Sequence, residues 1–334
     1  MNPFSAWTST GAVPPQRGWS EQTQLSLIWG DHASPLQTRW MVLLQDLCRL
    51  GPQHVVTTNQ VGALGFYAGL EWQHGDADGA RLGCDGVEID LDFQRVGAAF
   101  ATGAPRAGVL PRATRVFDRH GDALLTFAAN PFGPTDAFDA FARRNARPVA
   151  PPLPRVASPE PAVTAEAPSK AQLDAALSDW AELADARAFE ALLDRHTLNR
   201  AQLYSAADDA RASRIQAREL VELLRWMVDQ RAPMSLQVGR AGVVTVVRAI
   251  PEEVVVTRDG LEIGGGSAVL RLDPRRLDEA WLVTQTDGDG KRHRSIQLLD
   301  GAGELAVCLG GAEQNVAAGV SGWTRQPYRP GVSL

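Results

Sequence analysis

The chain of 334 residues lacks long apolar runs and any excess of positive charge. No stretch approaches the roughly 18 uninterrupted apolar residues of a membrane-spanning helix. Residues 1–17 have neither a basic start nor an apolar core, so no secretory signal is expected there. Lys and Arg number 33 against 39 Asp and Glu, and the resulting net charge of −6 argues against nucleic-acid binding.

Cysteine is also scarce. The three cysteines, Cys48, Cys84 and Cys308, are widely spaced and form no C-x-x-C pair. This pattern is typical of free thiols in a reducing compartment, so we expect a cytoplasmic protein without membrane insertion. The length is about twice the usual ~150 residues of one domain, which favours two domains.

Recognisable catalytic motifs are missing as well. The sequence contains no nucleophile elbow, no phosphate-binding Walker loop and no H-E-x-x-H zinc motif. Gly264–Gly266 predicts a hairpin turn, and Asp287–Gly290 predicts a turn because it lacks the closing Glu of a calcium loop. The six histidines have no metal-site spacing, so no metal site is predicted and catalytic residues stay unassigned.

Proline is concentrated near the middle of the chain. Residues 148–168 contain seven of the 21 prolines and no aromatic residue, which predicts an extended linker. This linker would separate a first repeat at 31–147 from a second repeat at 169–325, after a flexible N-terminal segment at 1–30.

The two halves resemble each other along their length. Three residues of one predicted hairpin turn match three of another at an offset of 182, namely Asp118, Gly121 and Asp122 against Asp300, Gly303 and Glu304. Upstream matches occur at offsets of 181 and 180, as between Gly62 and Gly242. The drift in one direction is typical of an internal duplication with small insertions.

Each half predicts helices first and strands afterwards. A helix over 36–50 is expected to begin at Ser34-Pro35, followed by a meander over 53–127 and a helix near 135–144. Helices are expected in the second half after Ser169, over about 186–195, after Asn199 and over about 213–230, and then strands from 234 to 309. The pattern indicates an α+β protein in which a helix-plus-antiparallel-sheet unit occurs twice, as two stacked sheet-containing halves.

In order and spacing, these pieces resemble the HemS/ChuX-type haemin-utilisation family, in the duplicated form called haemin-degrading factor or haemin transport protein. The resemblance rests on segments in both halves, chiefly Glu88–Leu91, Val116–Ala123, Asp185–Leu193, Leu198–Gln202 and Leu277–Val283. It implies a cytoplasmic haem-handling protein of bacterial haemin utilisation. It further implies haem in a cleft between the halves, held by an axial histidine and by arginines near the propionates.

The sequence departs from the family pattern at the expected ligand positions. Arg187 stands where the family carries its axial histidine, and a guanidinium has no lone pair to give iron. Asp92 follows the first-half I-D-L where the family has an arginine, and Asp273 is its counterpart in the second half. Both can form salt bridges, but neither can hold a propionate.

Two functions therefore stay open. In the first, the protein binds haem for transfer or for degradation with iron release, in the latter case with a haem-degrading oxygenase-like activity. His196 or Tyr204 would then serve the iron, with Arg187, Arg95 and Arg200 near the propionates, although His196 could equally stabilise a helix C-terminus. In the second, a non-enzymatic paralogue has kept the scaffold and lost haem binding, and it binds another small apolar or anionic ligand, or a protein partner, in the same cleft between the repeats.

Overall fold

The computed structural model describes residues 20–22, 25, 33–103, 112–130, 135–148, 167–183, 188–240, 242–257, 260–286 and 292–311. Most of the predicted N-terminal segment 1–30 and of the predicted linker 148–168 lies outside these residues, as does the predicted turn Asp287–Gly290. The domain boundaries therefore stay predictions.

The first repeat contains nine strands and two helices within the described residues. In chain order they are β1 Ala33–Pro35, α1 Trp40–Cys48, β2 Gln53–Thr58, β3 Gly62–Ala68, β4 Glu71–Gly75, β5 Gly79–Cys84, β6 Val87–Asp92, β7 Val96–Thr102, β8 Ala113–Asp118, β9 Ala123–Ala129 and α2 Thr135–Arg144.

The described part of the second repeat has the same nine strands and more helices. In chain order they are α3 Lys170–Ala181, α4 Phe189–His196, α5 Arg200–Ala206, β10 Ala212–Ile215, α6 Ala217–Asp229, β11 Met234–Arg240, β12 Val243–Ala249, β13 Glu253–Val256, β14 Leu261–Gly265, β15 Ala268–Leu272, β16 Glu279–Thr286, β17 Arg292–Leu299 and β18 Leu305–Gly311.

Local sequence signals explain most helix ends and fail at two. The Ser169 hydroxyl accepts a hydrogen bond from the Gln172 amide at 3.2 Å, and Asn199 and Gln202 form the reciprocal capping box of α5. The predicted entry at Ser34-Pro35 is wrong, because those residues form the edge strand β1 and the helix begins at Trp40. The start near 213 is wrong for the same reason, since β10 occupies Ala212–Ile215.

The strands form two nine-stranded antiparallel sheets, and each sheet contains strands of both repeats. The first sheet has the order β1-β7-β8-β9-β2-β3-β15-β14-β13, and the second has β10-β16-β17-β18-β11-β12-β6-β5-β4. Each repeat thus gives three strands, β4–β6 or β13–β15, to the edge of the other repeat's sheet. The predicted duplicated α+β fold is confirmed, and the repeats are interlocked by this strand exchange.

The duplication extends to individual hydrogen bonds. The Asp118 carboxylate accepts from the amides of His120 and Asp122 at 2.8 and 2.9 Å. The Asp300 carboxylate accepts from the corresponding amides of Ala302 and Glu304 at 2.9 and 3.0 Å. Both turns contain a glycine with positive φ, 85° at Gly121 and 77° at Gly303, where a side chain would be strained.

The inner faces of the two sheets share one hydrophobic core with α1, α2 and α6. Within this core the hydroxyl groups of Thr57 on β2 and Thr245 on β12 are 2.6 Å apart and form a buried hydrogen bond. The outer faces of the sheets are left for other segments to cover, and the second sheet is covered by α3, α4 and α5.

Candidate functional site

Three helices, α3, α4 and α5, form a cap on the outer face of the second sheet. A second hydrophobic core, separate from the core between the sheets, holds the cap in place. Its centre is aromatic, because the Tyr204 ring lies 5.7, 6.0 and 5.8 Å from the rings of Trp180, Phe189 and Trp281. The cap therefore depends on packing of these rings against β16.

A strip of polar and small side chains runs out from under the cap along the outer face. In an antiparallel sheet, residues directly opposite one another point to the same face. The pairing places Gln297, Cys308 and Gln237 in one row, on β17, β18 and β11, and places Ser295, Gly310 and Ser235 in the next. We call these six residues the polar strip. The row of Gln297 continues to Glu88 on β6, so both repeats contribute to this face.

Tyr204 connects the cap to the polar strip. Its hydroxyl donates a 2.6 Å hydrogen bond to Oε1 of Gln297, and Nε2 of Gln297 donates to the Ser295 hydroxyl at 3.2 Å. The side chain is only 1% exposed, and burial raises the pKa of its phenol far above the usual value. Tyr204 is thus a neutral hydroxyl with its hydrogen already donated.

Arg200 lies one turn before Tyr204 on α5 and is buried. Its guanidinium forms a two-point ion pair with Glu190 of α4, with one N–O distance of 3.1 Å, and lies over the Phe189 ring at 5.5 Å. Its Nε is buried and has no hydrogen-bond partner in the described part of the chain. Among the predicted site residues that the structure describes, Arg200 is the one that combines a buried cation with an unused donor.

His196 ends α4 and ties it to α3. Its Nε2 is 2.8 Å from the carboxylate of Asp179, and its backbone carbonyl accepts a hydrogen bond from Gln172. The hydrogen bond from His196, more than that from Arg195, holds the pKa of Asp179 below its usual range. This position at the last turn agrees with the helix-stabilising role, and it leaves the other ring nitrogen for a different partner.

Arg95 lies apart from the cap, in the turn after β6. Its Nε is 3.5 Å from the carboxylate of Asp92, and Asp92 also accepts from the backbone amide of Gln94 at 2.8 Å. Asp273 does the same in the second repeat, where it accepts from the amide of Arg275 and pairs with that side chain at 2.9 Å. Both aspartates therefore close a turn with a nearby arginine.

The structure brings together Arg200 and Tyr204, places His196 at the far end of α4, and places Arg95 on another turn. Arg187 lies outside the described residues. Sequence reasoning missed Gln297, Ser295 and Cys308. Ser295 and Gln297 are two residues apart on a predicted strand, so the sequence alone places both on one face. That Cys308 and Gln237 lie beside Gln297 follows only from the pairing of β17, β18 and β11.

The chemistry of the polar strip is neutral. Burial raises the pKa of the Cys308 thiol to about 11, so the sulfur is protonated at neutral pH. All three cysteines are free thiols. Among the described residues, no three metal-binding side chains cluster and no helix has the length and hydropathy to cross a membrane. The face can donate and accept hydrogen bonds, with Arg200 as its buried cation.

Comparisons with known proteins point to one family. A family model described as "Haemin-degrading HemS.ChuX domain" matches residues 197–324. The hemin transport protein HmuS of Yersinia pestis is 26% identical over 265 residues, which cover 78% of this chain and 75% of that protein.

Solved structures of two heme proteins have the same fold over most of this chain. Holo-PhuS, a heme-binding protein from Pseudomonas aeruginosa, matches with a TM-score of 0.79 at 24% identity, over 89% of this chain and 86% of that chain. ChuS, an E. coli heme oxygenase, matches with a TM-score of 0.76 at 21% identity, over 87% of each chain.

Proposed function

We propose that this chain, which belongs to the HemS/ChuX family in its duplicated form, binds haem and passes it on within the cytoplasm. The observation that carries the proposal is the capped polar strip, a face to which both repeats contribute beside the buried cation Arg200. The likeness to a hemin transport protein over most of the chain supports the ligand class. The three free thiols support a reducing compartment.

The residues of this face suit the carboxylates of a haem. Arg200 is a buried cation with an unused Nε–H, and an arginine can hold a carboxylate through two parallel hydrogen bonds. Ser235 and Ser295 carry small side chains and Gly310 has none, so a flat ring can lie close to the sheet along this row. Arg95 pairs with its own neighbour Asp92, so we assign it no propionate.

The face offers fewer candidates for an axial ligand to the iron. Tyr204 has given its hydroxyl hydrogen to Gln297 under the cap, so we retain His196 as the proposed ligand. Asp179 holds one ring nitrogen of His196, and a carboxylate is the usual second partner of a metal-bound imidazole. When bound, the haem would supply iron-centred redox chemistry. A single weakly presented ligand suits binding and release, so we propose transfer rather than ring cleavage.

A haemin titration followed in the Soret region tests the proposal. We expect a shifted Soret band with the wild-type protein, and a displaced or at least tenfold weaker transition with His196→Ala, since an axial imidazole sets the band position. His74→Ala is the matched control, because His74 lies on β4 at the opposite edge of the same sheet. Absence of a Soret shift with the wild-type protein would contradict haem binding, and an unchanged band in His196→Ala would remove His196 as the ligand.

A second function is favoured by one specific observation. Asp92 and Asp273 each use both carboxylate oxygens within a closed turn and its ion pair, so neither turn presents a free cation to the face. A paralogue of this kind would bind a different carboxylate-bearing ligand, or a protein partner, on the same scaffold. It is distinguished by tight binding of an iron-free porphyrin or another organic acid without any Soret response to haemin.

A further inference from the structure

We infer that Glu190 is a built-in substitute for the carboxylate of the ligand and competes with the ligand for Arg200. The inference rests on the proposed function, because it concerns regulation of the same anion-binding end of the site. Its starting point is an unequal ion pair. The Arg200 side chain is 6% exposed, whereas the Glu190 side chain is 62% exposed.

Arg200 requires an anion. A guanidinium stays protonated at any physiological pH, and a buried charge is strongly unfavourable unless it is paired. The Phe189 ring beneath it stabilises the cation without neutralising it. Among the described residues, Glu190 is the carboxylate within ion-pair distance of Arg200. Without a ligand, Glu190 therefore supplies the direct ion pair that the buried arginine needs, and Glu304 adds a more distant negative charge.

The arginine is buried and anchored, whereas the glutamate is largely exposed to solvent. Asn199 caps α5 by accepting from the Gln202 amide at 2.9 Å, and its side-chain nitrogen donates to the carbonyl of Ala302 at 3.0 Å. These contacts anchor the residue next to Arg200 to the turn between β17 and β18. Glu190 lies in the first turn of α4 with most of its side chain in water, so its carboxylate can leave Arg200 at little desolvation cost.

An external carboxylate can gain a contact that Glu190 does not make. Glu190 uses the two terminal nitrogens of Arg200, and Nε is left buried without a hydrogen-bond partner in the described residues. A carboxylate that approaches side-on can take Nε–H together with one terminal N–H and so satisfy this donor. The chemical class is therefore a carboxylate attached to a flat apolar body, as on a porphyrin.

Iron-free protoporphyrin IX and its dimethyl ester test the exchange without axial ligation. We expect Glu190→Gln to bind protoporphyrin IX roughly three- to tenfold more tightly than the wild-type protein, since the competing ion pair with the solvent-exposed Glu190 carboxylate is lost. The dimethyl ester should bind both proteins equally, because it has no carboxylate. Glu222→Gln is the matched control, since Glu222 forms an exposed ion pair with Arg218 on α6. Adding Arg200→Gln should abolish the gain.

Three results would overturn the inference: an equal gain with the ester, no gain with the free acid, or no binding of protoporphyrin IX by either protein. If Glu190→Gln does not fold, Glu190→Asp is the substitute. It keeps the charge but shortens the side chain, so it should give a smaller gain in affinity for protoporphyrin IX. A gain with protoporphyrin IX alongside an absent haemin Soret shift supports this inference and counts against the proposed haem function alone.

Discussion

The outer faces of the two sheets are built from equivalent strands and covered by different segments. On the second sheet, Gln297 lies under the three-helix cap and bonds to Tyr204. On the first sheet the equivalent position, 182 residues earlier, is Arg115. Next to it, the backbone amide of Ala123 donates a 2.6 Å hydrogen bond to the carboxylate of Glu21. One scaffold thus carries a capped face whose arginine, Arg200, comes from the covering helix α5, and a face whose arginine, Arg115, stands on the sheet itself.

The exchanged strands, at the far end of each outer face, differ in a similar way. Arg81 and Asp90 pair at 2.6 Å across β5 and β6, and the equivalent positions, 181 residues on, hold Glu262 and Arg271 with the signs reversed at 2.9 Å. Both arrangements satisfy the same strand register. The duplicated backbone therefore fixes the position of the ion pair, whereas either strand can carry the positive residue.

Separating the two repeats should have the largest effect on stability. Residues 20–148 and 167–311, expressed apart, are expected to lack a stable monomeric fold, because three of the nine strands of each sheet come from the other repeat. Mixed or co-expressed, the halves should associate and recover a cooperative unfolding transition, as measured by size-exclusion chromatography and circular dichroism. A stable monomer with cooperative unfolding from either half alone would contradict the strand exchange.

Loss of the aromatic centre should then disturb the second sheet's outer face and spare the core between the sheets. Tyr204→Ala is expected to lower the free energy of unfolding by about 3–5 kcal/mol, as for other large buried aromatics. Tyr204→Phe keeps the ring, leaves Gln297 without its donor, and should cost about 1–3 kcal/mol. Denaturant unfolding measures both. Equal stability of Tyr204→Ala and wild type would show that the cap does not depend on this ring.

The hydroxyl pair between the sheets should give a smaller, non-additive effect. Thr57→Val or Thr245→Val alone leaves one buried hydroxyl without its partner, at a cost of about 1–3 kcal/mol in unfolding free energy. The double variant should be close to wild type, since the positions related to Thr57 and Thr245 by the 181-residue offset of the strand pairs, Val238 and Leu64, are already apolar and buried. Additive losses in a double-mutant cycle would contradict a direct bond between the two hydroxyls.

The smallest expected effect is a pH dependence confined to the first repeat. Burial of Asp46 on α1 acts to raise its pKa, but hydrogen bonds from Asn145 and Arg144 outweigh this effect and hold the pKa below its usual value. A depressed folded-state pKa contributes stability that is present above the unfolded value and lost as the pH falls through the folded value. The free energy of unfolding should therefore decline more steeply below about pH 4 in the wild type than in Asp46→Asn.

Helices, caps and turns that depend on residues close together in the chain could be predicted from the sequence. The helix Thr135–Arg144, the Asn199 cap and the paired turns at Asp118 and Asp300 depend on residues close together in the chain, and the structure has them. The resemblance to the family was likewise visible in ordered local segments.

Features that depend on distant pairing could not be predicted. The short edge strands β1 and β10 are set by their partners β7 and β16, and their Ser, Pro and Arg residues have little strand preference. The exchange of β4–β6 and β13–β15 leaves no local mark. Tyr204 is near the family's ligand position in sequence, but the burial of its ring depends on how α5 packs against the sheet.

The most direct test of the account is the stoichiometry of haemin binding in two matched variants. Arg200 and Arg115 are the arginines of the second and first outer faces, so each is replaced by Gln and titrated with haemin in the Soret region. We predict one haemin per wild-type chain, at least tenfold weaker binding in Arg200→Gln, and unchanged binding in Arg115→Gln. Two equivalents per chain, or weakening in Arg115→Gln with Arg200→Gln unaffected, would contradict a haem site under the cap.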